Sequence, residues 1–566
     1  MEKRYLLAVV LCFLILFLYQ ELVKRTQAPP PAEQEELSRS PQREPAPPPP
    51  PGAPSAPASV PEAAAQAERG PEPACKEVVV HTELVRAVFC AHNGRLMSWK
   101  LKNYRKPTRA GCSLRALLGR GAEVDAGTRL PEEKWVEMVH VSDPEEYPLG
   151  LQITGQNETT PVREMLEPSL SSLNLQPSNE PARLSFSGKD ASGRQVRRTY
   201  TFRPDAYLLN LEIEIEGVDE RLKDSGAGLM LTERIRGEDR DRYTFSGFMG
   251  VVNGALKKEK DLKEDERQYF SGDVSWEGFS SKYFLSCLIP VDNPVSSVKL
   301  EKLDGGPDPD EGGLLVSTLI YSFQEHRQDG RVRFAYDLYI GPKDLDVLKR
   351  TGHALQQSID LGWFGFIARP LLAVLKFFDR YTHNYGLDII LLTVIIKILF
   401  YPLTHKQYQS MKEMQKLQPK LQALREKYKG DRERLNREMM DFYRSHKVNP
   451  LSGCWPLLLQ IPVFFALYKA LLNSIELRQA PFVLWIHDLS EKDPCYITPI
   501  VMGVTMFVQQ KMSPAVGDPN QQKIMMLMPL IFTVMFLNFP SGLVLYWLVN
   551  NVLSIGQQYV TQNWKK

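Results

Sequence analysis

The sequence predicts a membrane α-helical bundle of six transmembrane helices joined to a large extracytoplasmic all-β sandwich. Three observations predict it. Residues 386–403, 451–473, 496–508 and 524–556 are strongly apolar, while 26–350 are rich in charge, proline and glycine. Between about 76 and 345, apolar residues alternate or run in short stretches bounded by turn signals, which is the pattern of strands. The segment 405–449, between two apolar runs, holds twelve Lys and Arg residues against six acids. Hydrophobic residues make up 43% of the 566 and charged residues 24%, which excludes a collagen-like or fully disordered chain. The net charge of +2 gives no general attraction to nucleic acid.

Residues 1–25 read as an uncleaved N-terminal anchor. Lys3 and Arg4 precede the apolar run 5–19, and no small-x-small cleavage pattern follows it. Residues 26–75 read as a linker. Twelve of the 42 prolines fall between Pro29 and Pro57, and such a stretch samples polyproline II without building a core.

Residues 76–350 read as the sandwich. Asn93-Gly94 is a hairpin signal between Leu84–Phe89 and Leu96–Leu101. Further strands are expected at Thr199–Phe202, Leu208–Ile215, Leu314–Ser322 and Val332–Ile340. Leu209, Leu211, Ile213 and Ile215 should share one face. His81, His92 and His140 are scattered and form no catalytic cluster.

Residues 357–382 mix aromatic and apolar residues with Arg369, Lys376, Asp379 and Arg380. That pattern fits an amphipathic helix lying in the membrane surface. Five spans follow, at 386–404, 450–473, 496–511, 523–540 and 541–560. Phe539-Pro540-Ser541-Gly542 should turn the chain between the last two. The apolar stretch 496–508 gives only about 20 Å of helix, against a hydrocarbon core of about 30 Å. Residues 405–449 read as a basic helical hairpin, with Met411, Met414, Leu417, Leu421 and Leu424 at helical spacing and a turn at Gly430-Asp431. It is either a solvated topogenic loop or a docking arm for incoming chains or ribosomes.

The positive-inside rule places 405–449 in the cytoplasm. Alternation then places 474–495 and the Pro540 turn outside, both termini inside, and the sandwich outside.

Lys397 lies within the apolar run Leu391 to Pro402. A charge at the centre of a span costs roughly 2.5–3.5 kcal/mol on insertion scales, so it faces protein, a wet cavity or the interface. Lys397 either snorkels to the inner interface or lines a polar groove. Thr393 is one turn away on the same face. Gln460, Asn538, Tyr546, Asn550 and Asn551 put further polar groups in the other spans. Each is either a helix–helix hydrogen bond or part of the groove.

The seven cysteines are too few for a disulfide framework in this length, and their spacing assigns no pairs. No C-x-x-C, P-loop, H-E-x-x-H or G-x-S-x-G pattern occurs, so no metal, cofactor or ATP-driven step is expected.

The motifs Tyr401-Pro402-Leu403-Thr404, Gln418-Pro419-Lys420, Val448-Asn449-Pro450-Leu451, Gly453-Cys454-Trp455-Pro456, Glu476 to Phe482, Trp485 to Leu489, Gln510 to Pro514 and Phe539 to Tyr546 resemble the YidC membrane insertase family. Asn93-Gly94, Lys282-Tyr283-Phe284 and Leu338 to Pro342 resemble the large periplasmic domain of its Gram-negative members. The resemblance implies a five-helix insertase core with a groove open to the cytoplasm and the lipid, and a β-supersandwich outside it. It implies a non-enzymatic insertase and chaperone of the bacterial inner membrane. Its partners would be nascent membrane proteins, the Sec translocon, the ribosome (through the basic hairpin and the C-terminus) and membrane lipids, with no specific nucleic acid. The rival readings are a channel or transporter, or a lipid-scrambling protein. The family's groove cation is normally Arg, and Lys397 stands there without the planar fork. Asn538 stands where an aromatic is common. Thr393, Gln460, Asn538, Tyr546 and Asn550 would line the groove with Lys397. Phe464, Phe465, Met535 and Phe536 would offer a greasy sliding surface.

Overall fold

In the computed structural model of the chain, Gly94 adopts φ +65° and its N–H donates to the Cys90 carbonyl at 2.8 Å. Asn93-Gly94 thereby turns the chain between the antiparallel strands Val85–Cys90 and Leu96–Arg105. A left-handed φ is one that glycine adopts without a Cβ penalty. The structure describes residues 75–563 apart from 107–110, 113–129, 155–158, 179, 219–221, 223–224, 235–243, 261, 264–265, 292–294, 296, 304–312, 324–326, 329, 429, 447–454 and 514–518. The expected anchor, and the expected linker up to residue 74, lie outside the described residues.

Alternation sets the strands. Leu208–Glu216 buries Leu209, Leu211, Ile213 and Ile215. It pairs antiparallel with Gln195–Phe202 and with Arg331–Pro342. Among the described residues, the strands form sheets of ten, six and five. Both smaller sheets pack on the largest. Tyr321 of the six-stranded sheet meets Phe334 and Tyr336 of the ten-stranded sheet, each at 5.3 Å between ring centres. Phe89 of the five-stranded sheet meets Tyr200 at 4.7 Å, and Trp99 Nε1 donates to the Ile340 carbonyl at 3.0 Å. One apolar core runs through all three sheets.

After the last strand comes helix α1 (Leu345–Thr351), whose N-cap Asp344 accepts from the N–H groups of Asp346 and Val347. Helix α2 (Gly365–Thr382) buries Ala368, Leu372 and Leu375. Its Phe366, Phe377 and Tyr381 are exposed, as is Trp363 just before it.

Helix α3 (Tyr385–Lys427) is capped by the Asn384 side chain, which accepts from Gly386 and Leu387 N–H. Sequence reading ended the span near Thr404 and began a separate hairpin there. The structure runs one helix of 43 residues through Pro402 and Pro419. An interior proline removes one hydrogen bond, and here the helix continues on either side of it. Helix α4 (Arg432–Ser445) folds back against α3, and Met414, Leu421 and Met439 are buried there.

Helices α5 (Trp455–Asn473), α6 (Ile497–Met512), α7 (Pro519–Phe536) and α8 (Ser541–Asn563) complete the bundle. Their core includes Ile396 of α3, Leu467 of α5, Met502 of α6 and Leu543 of α8. The Pro540 turn docks on the loop between α5 and α6, with Ser541 N–H donating to Glu491 O at 2.7 Å and Gly542 N–H to Leu489 O at 2.9 Å.

Among the described residues, α3 is the one helix long and apolar enough to cross a membrane by length and composition alone, and α7 carries a shorter apolar stretch, Met525–Phe536. Leu387, Leu391, Ile395, Ile398 and Leu399 of α3 are exposed, as are Leu527, Leu530 and Val534 of α7. Contiguous apolar faces of this kind fit contact with lipid rather than water.

Candidate functional site

Lys397 lies twelve residues into α3, about 18 Å from its start at 1.5 Å per residue. Its Nζ donates to Ser554 Oγ of α8 at 2.7 Å. Ser554 Oγ in turn donates to the Asn550 carbonyl, one turn back, at 2.7 Å. Asn550 Oδ1 accepts from Gln460 Nε2 of α5 at 3.2 Å, and the Tyr546 hydroxyl lies close to Gln460. On the cytoplasmic side in the orientation expected from sequence, Gln557 Nε2 donates to Thr404 Oγ1 at 2.7 Å. Tyr546, Asn550, Ser554 and Gln557 follow one another at helical spacing, so α8 offers a polar stripe to α3 and α5. Asn551 and Gln558 look elsewhere: they bond Thr505 Oγ1 at 3.4 Å and Met512 O at 2.8 Å, tying α8 to α6.

Lys397 is half-buried, and among the described residues no carboxylate pairs with it. A hydroxyl satisfies a donor without cancelling the charge. A half-buried, uncompensated cation is costly, so the site favours an incoming anion.

Sequence reasoning named Lys397, Gln460, Tyr546 and Asn550, and the structure brings these together. It missed Ser554 and Gln557, whose signal was their spacing from Asn550. Thr393 is buried one turn away, but its hydroxyl donates to its own helix, to Ile389 O at 2.6 Å. Asn538 does not reach Lys397. It sits exposed in the turn between α7 and α8, sixteen residues before Ser554.

The four expected sliding-surface residues are not equivalent. Phe536 is buried against Trp547 at 5.2 Å, and Phe464 meets the same ring edge-on at 4.7 Å. Phe465 is exposed and stacks on Phe364 at 6.4 Å, and Met535 is exposed.

A second polar cluster ties α2 to its surroundings. Lys376 Nζ lies 2.6 Å from Glu476, 2.9 Å from Asp346 and 3.4 Å from Asp344. Burial alone would lower the Lys376 pKa, but Glu476 and Asp346 outweigh it and hold the amine above its ordinary value. The hydrogen bond from Lys376 holds the Asp346 carboxyl below its ordinary value.

Residues 377–566 match the family described as 60Kd inner membrane protein, and residues 128–374 match the YidC periplasmic domain. The membrane protein insertase YidC of Syntrophus aciditrophicus is 42% identical over 572 residues, covering 99% of each chain. That of Geobacter metallireducens is 41% identical over 565 residues, covering 99% of this chain and 98% of its own. The crystal structure of an active YidC insertase with its first transmembrane domain resolved is 17% identical, with a TM-score of 0.36, and covers 86% of this chain and 92% of that one.

Proposed function

The chain belongs to the YidC family, and from that membership we propose how this membrane protein insertase works: Lys397 draws the acidic, polar tail of a newly made membrane protein into a wet groove in the inner leaflet. The observation that carries the reading is a half-buried ammonium held by the Ser554 hydroxyl and not by an acid. At 4 Å, a carboxylate meeting such a cation gains about 4 kcal/mol at an effective dielectric near 20, against about 1 kcal/mol in bulk water. That difference makes the groove a better place for the tail than the cytoplasm. Gln460 and Asn550 supply hydrogen bonds to the tail's backbone, while Thr393 and Tyr546 are buried behind them. Phe465 and Met535 offer the following apolar segment a surface on its way into lipid. Asn538 takes no part in this step, while Phe464 and Phe536 support Trp547 from behind.

No covalent chemistry is required. Partition of the apolar segment drives transfer, and the membrane potential adds about 2.3 kcal/mol per charge per 100 mV when acidic residues move outward. In this reading the chain spans the inner membrane six times, with both termini in the cytoplasm and the sandwich in the periplasm. The α3–α4 hairpin and the basic C-terminus face the ribosome, the Sec translocon lies alongside in the membrane, and α2 rests in the headgroup layer on Trp363, Phe366, Phe377 and Tyr381.

The test is rescue of a strain depleted of its own insertase, scored with one client bearing an acidic tail and one with that tail neutralised. Lys397→Arg should keep insertion of both. Lys397→Glu should cut insertion of the acidic-tail client at least tenfold and spare the neutral one. Full insertion of the acidic client by Lys397→Glu would sink the reading.

A further inference from the structure

The outer loop between α5 and α6 carries contacts that hold the sandwich to the bundle. The Arg478 guanidinium donates to the Arg105 carbonyl, and Gln479 Nε2 donates to the same oxygen at 2.9 Å. Arg105 is the last residue of the strand Leu96–Arg105, so these bonds catch the chain as it leaves its sheet. Arg478 also lies 5.4 Å from the Phe284 ring centre. Beyond these contacts, Cys112 and Cys495 are joined by a disulfide, with Cα atoms 4.9 Å apart at a sequence separation of 383. Cys495 stands two residues before α6. Polar anchors and covalent bond thus join the same two parts of the chain, Arg105 and Cys112 on one side and Arg478, Gln479 and Cys495 on the other. Cys112 is exposed and Cys495 half-exposed, whereas the free Cys287 is fully buried in the sandwich. An oxidant can reach the first pair and not Cys287.

We infer that Cys112 and Cys495 form a latch installed after docking: Arg478 and Gln479 seat the sandwich, and a disulfide-bearing thiol oxidant of the extracytoplasmic compartment then locks the outer ends of α5 and α6 to it. One cysteine thiolate attacks the donor's disulfide, forming a mixed disulfide and releasing one donor thiolate. The second cysteine thiolate attacks the first cysteine's sulfur and releases the other donor thiolate. Two electrons and two protons pass from the cysteines to the donor, which leaves as a dithiol. Closing so long a loop restricts the unfolded chain strongly. The latch rests on the reading that residues 474–495 face outward.

The test places a protease site within 304–312 of the full-length protein, which separates the two cysteines on cleavage. Membranes are treated with a thiol-blocking reagent, cleaved, and run on denaturing gels with and without reductant. The wild-type pair should migrate as one species until reduced. Cys495→Ser should part without reductant, and Arg478→Ala should lower the joined fraction several-fold. Wild-type fragments that part without reductant, in cells and also after oxidised glutathione in detergent, overturn the latch. A joined species that survives Cys495→Ser overturns it as well. Fragments that part when taken from cells but join under oxidised glutathione overturn the outward-facing reading, and the latch with it, while leaving the docked geometry and the Lys397 test untouched.

Discussion

Lys397 and Ser554 are joined by a 2.7 Å hydrogen bond between α3 and α8, with the ammonium as donor and the hydroxyl as acceptor. Removing the acceptor strands a half-buried cation without removing its charge. Ser554→Ala should therefore lower stability by about 1–3 kcal/mol, the cost of an unsatisfied buried polar group. Insertion by the folded fraction should persist, because the cation remains. Thermal melts in detergent and the depletion-rescue assay check this together. A loss of insertion as deep as that of Lys397→Glu, with stability intact, would show that the hydroxyl itself handles the client.

Gly386 opens α3 directly beneath Phe482 of the loop between α5 and α6. A Cβ built there would lie 2.0 Å from the ring, so the helix can approach only without a side chain. Gly386→Ala should cost roughly 1–3 kcal/mol from overpacking. Phe482→Leu in the same chain should recover part of that loss. A melting temperature unchanged in Gly386→Ala would contradict the close approach.

Glu277 is fully buried in the sandwich, and burial pushes its carboxyl up from 4.5 to about 8, a shift that the nearby Ser317 hydroxyl only partly opposes. At pH 7 the folded state keeps the proton and the unfolded state has lost it. Stability from this group is thus fully present below about 4.5 and falls as pH rises to about 8. The window spans on the order of 5 kcal/mol at 1.36 kcal/mol per pH unit, taken as an upper bound. Glu277→Gln keeps the shape and removes the titration. Between pH 5 and 8 the variant should gain stability over the wild type as pH rises. A constant difference between the two across that range would refute the neutral buried acid.

The sandwich was readable because its cues are local. Leu209 to Ile215 alternate, and Asn93-Gly94 allows a φ that few other pairs tolerate. Lys397 was readable because a cation among aliphatic residues is conspicuous. Ser554 and Gln557 were not, because single hydroxyls and amides are common in helices and count here only through their spacing from Asn550. The α3 helix outran its expected end because the tertiary fold carries it through Pro402 and Pro419. The docking of sandwich on bundle was the least legible part. Its main acceptor is the Arg105 carbonyl, which any residue would provide, and Cys112 and Cys495 lie too far apart for spacing to relate them.

Lys376 holds three carboxylates from two parts of the chain, Asp344 and Asp346 beside α1 and Glu476 in the loop between α5 and α6. Lys376→Met would leave Asp344 and Glu476, both largely buried, without their cation. Partial exposure of Asp346 weakens its share, so the expected loss is about 1–2 kcal/mol rather than the 3–5 of a fully buried pair. The Asp346 carboxyl is held below its unfolded value, so its contribution is present above about 4 and lost as pH falls through the lower folded value. The Lys376 amine is held above its unfolded value, so its contribution is complete below about 10.5 and lost only as pH rises past that. The cluster is therefore intact between these limits. The gap in melting temperature between wild type and Lys376→Met should be wide at pH 7 and shrink by pH 3, as the pH falls toward the lowered folded value of the Asp346 carboxyl. A gap of equal size at both values would mean that Lys376 contributes through its apolar stem and not its charge.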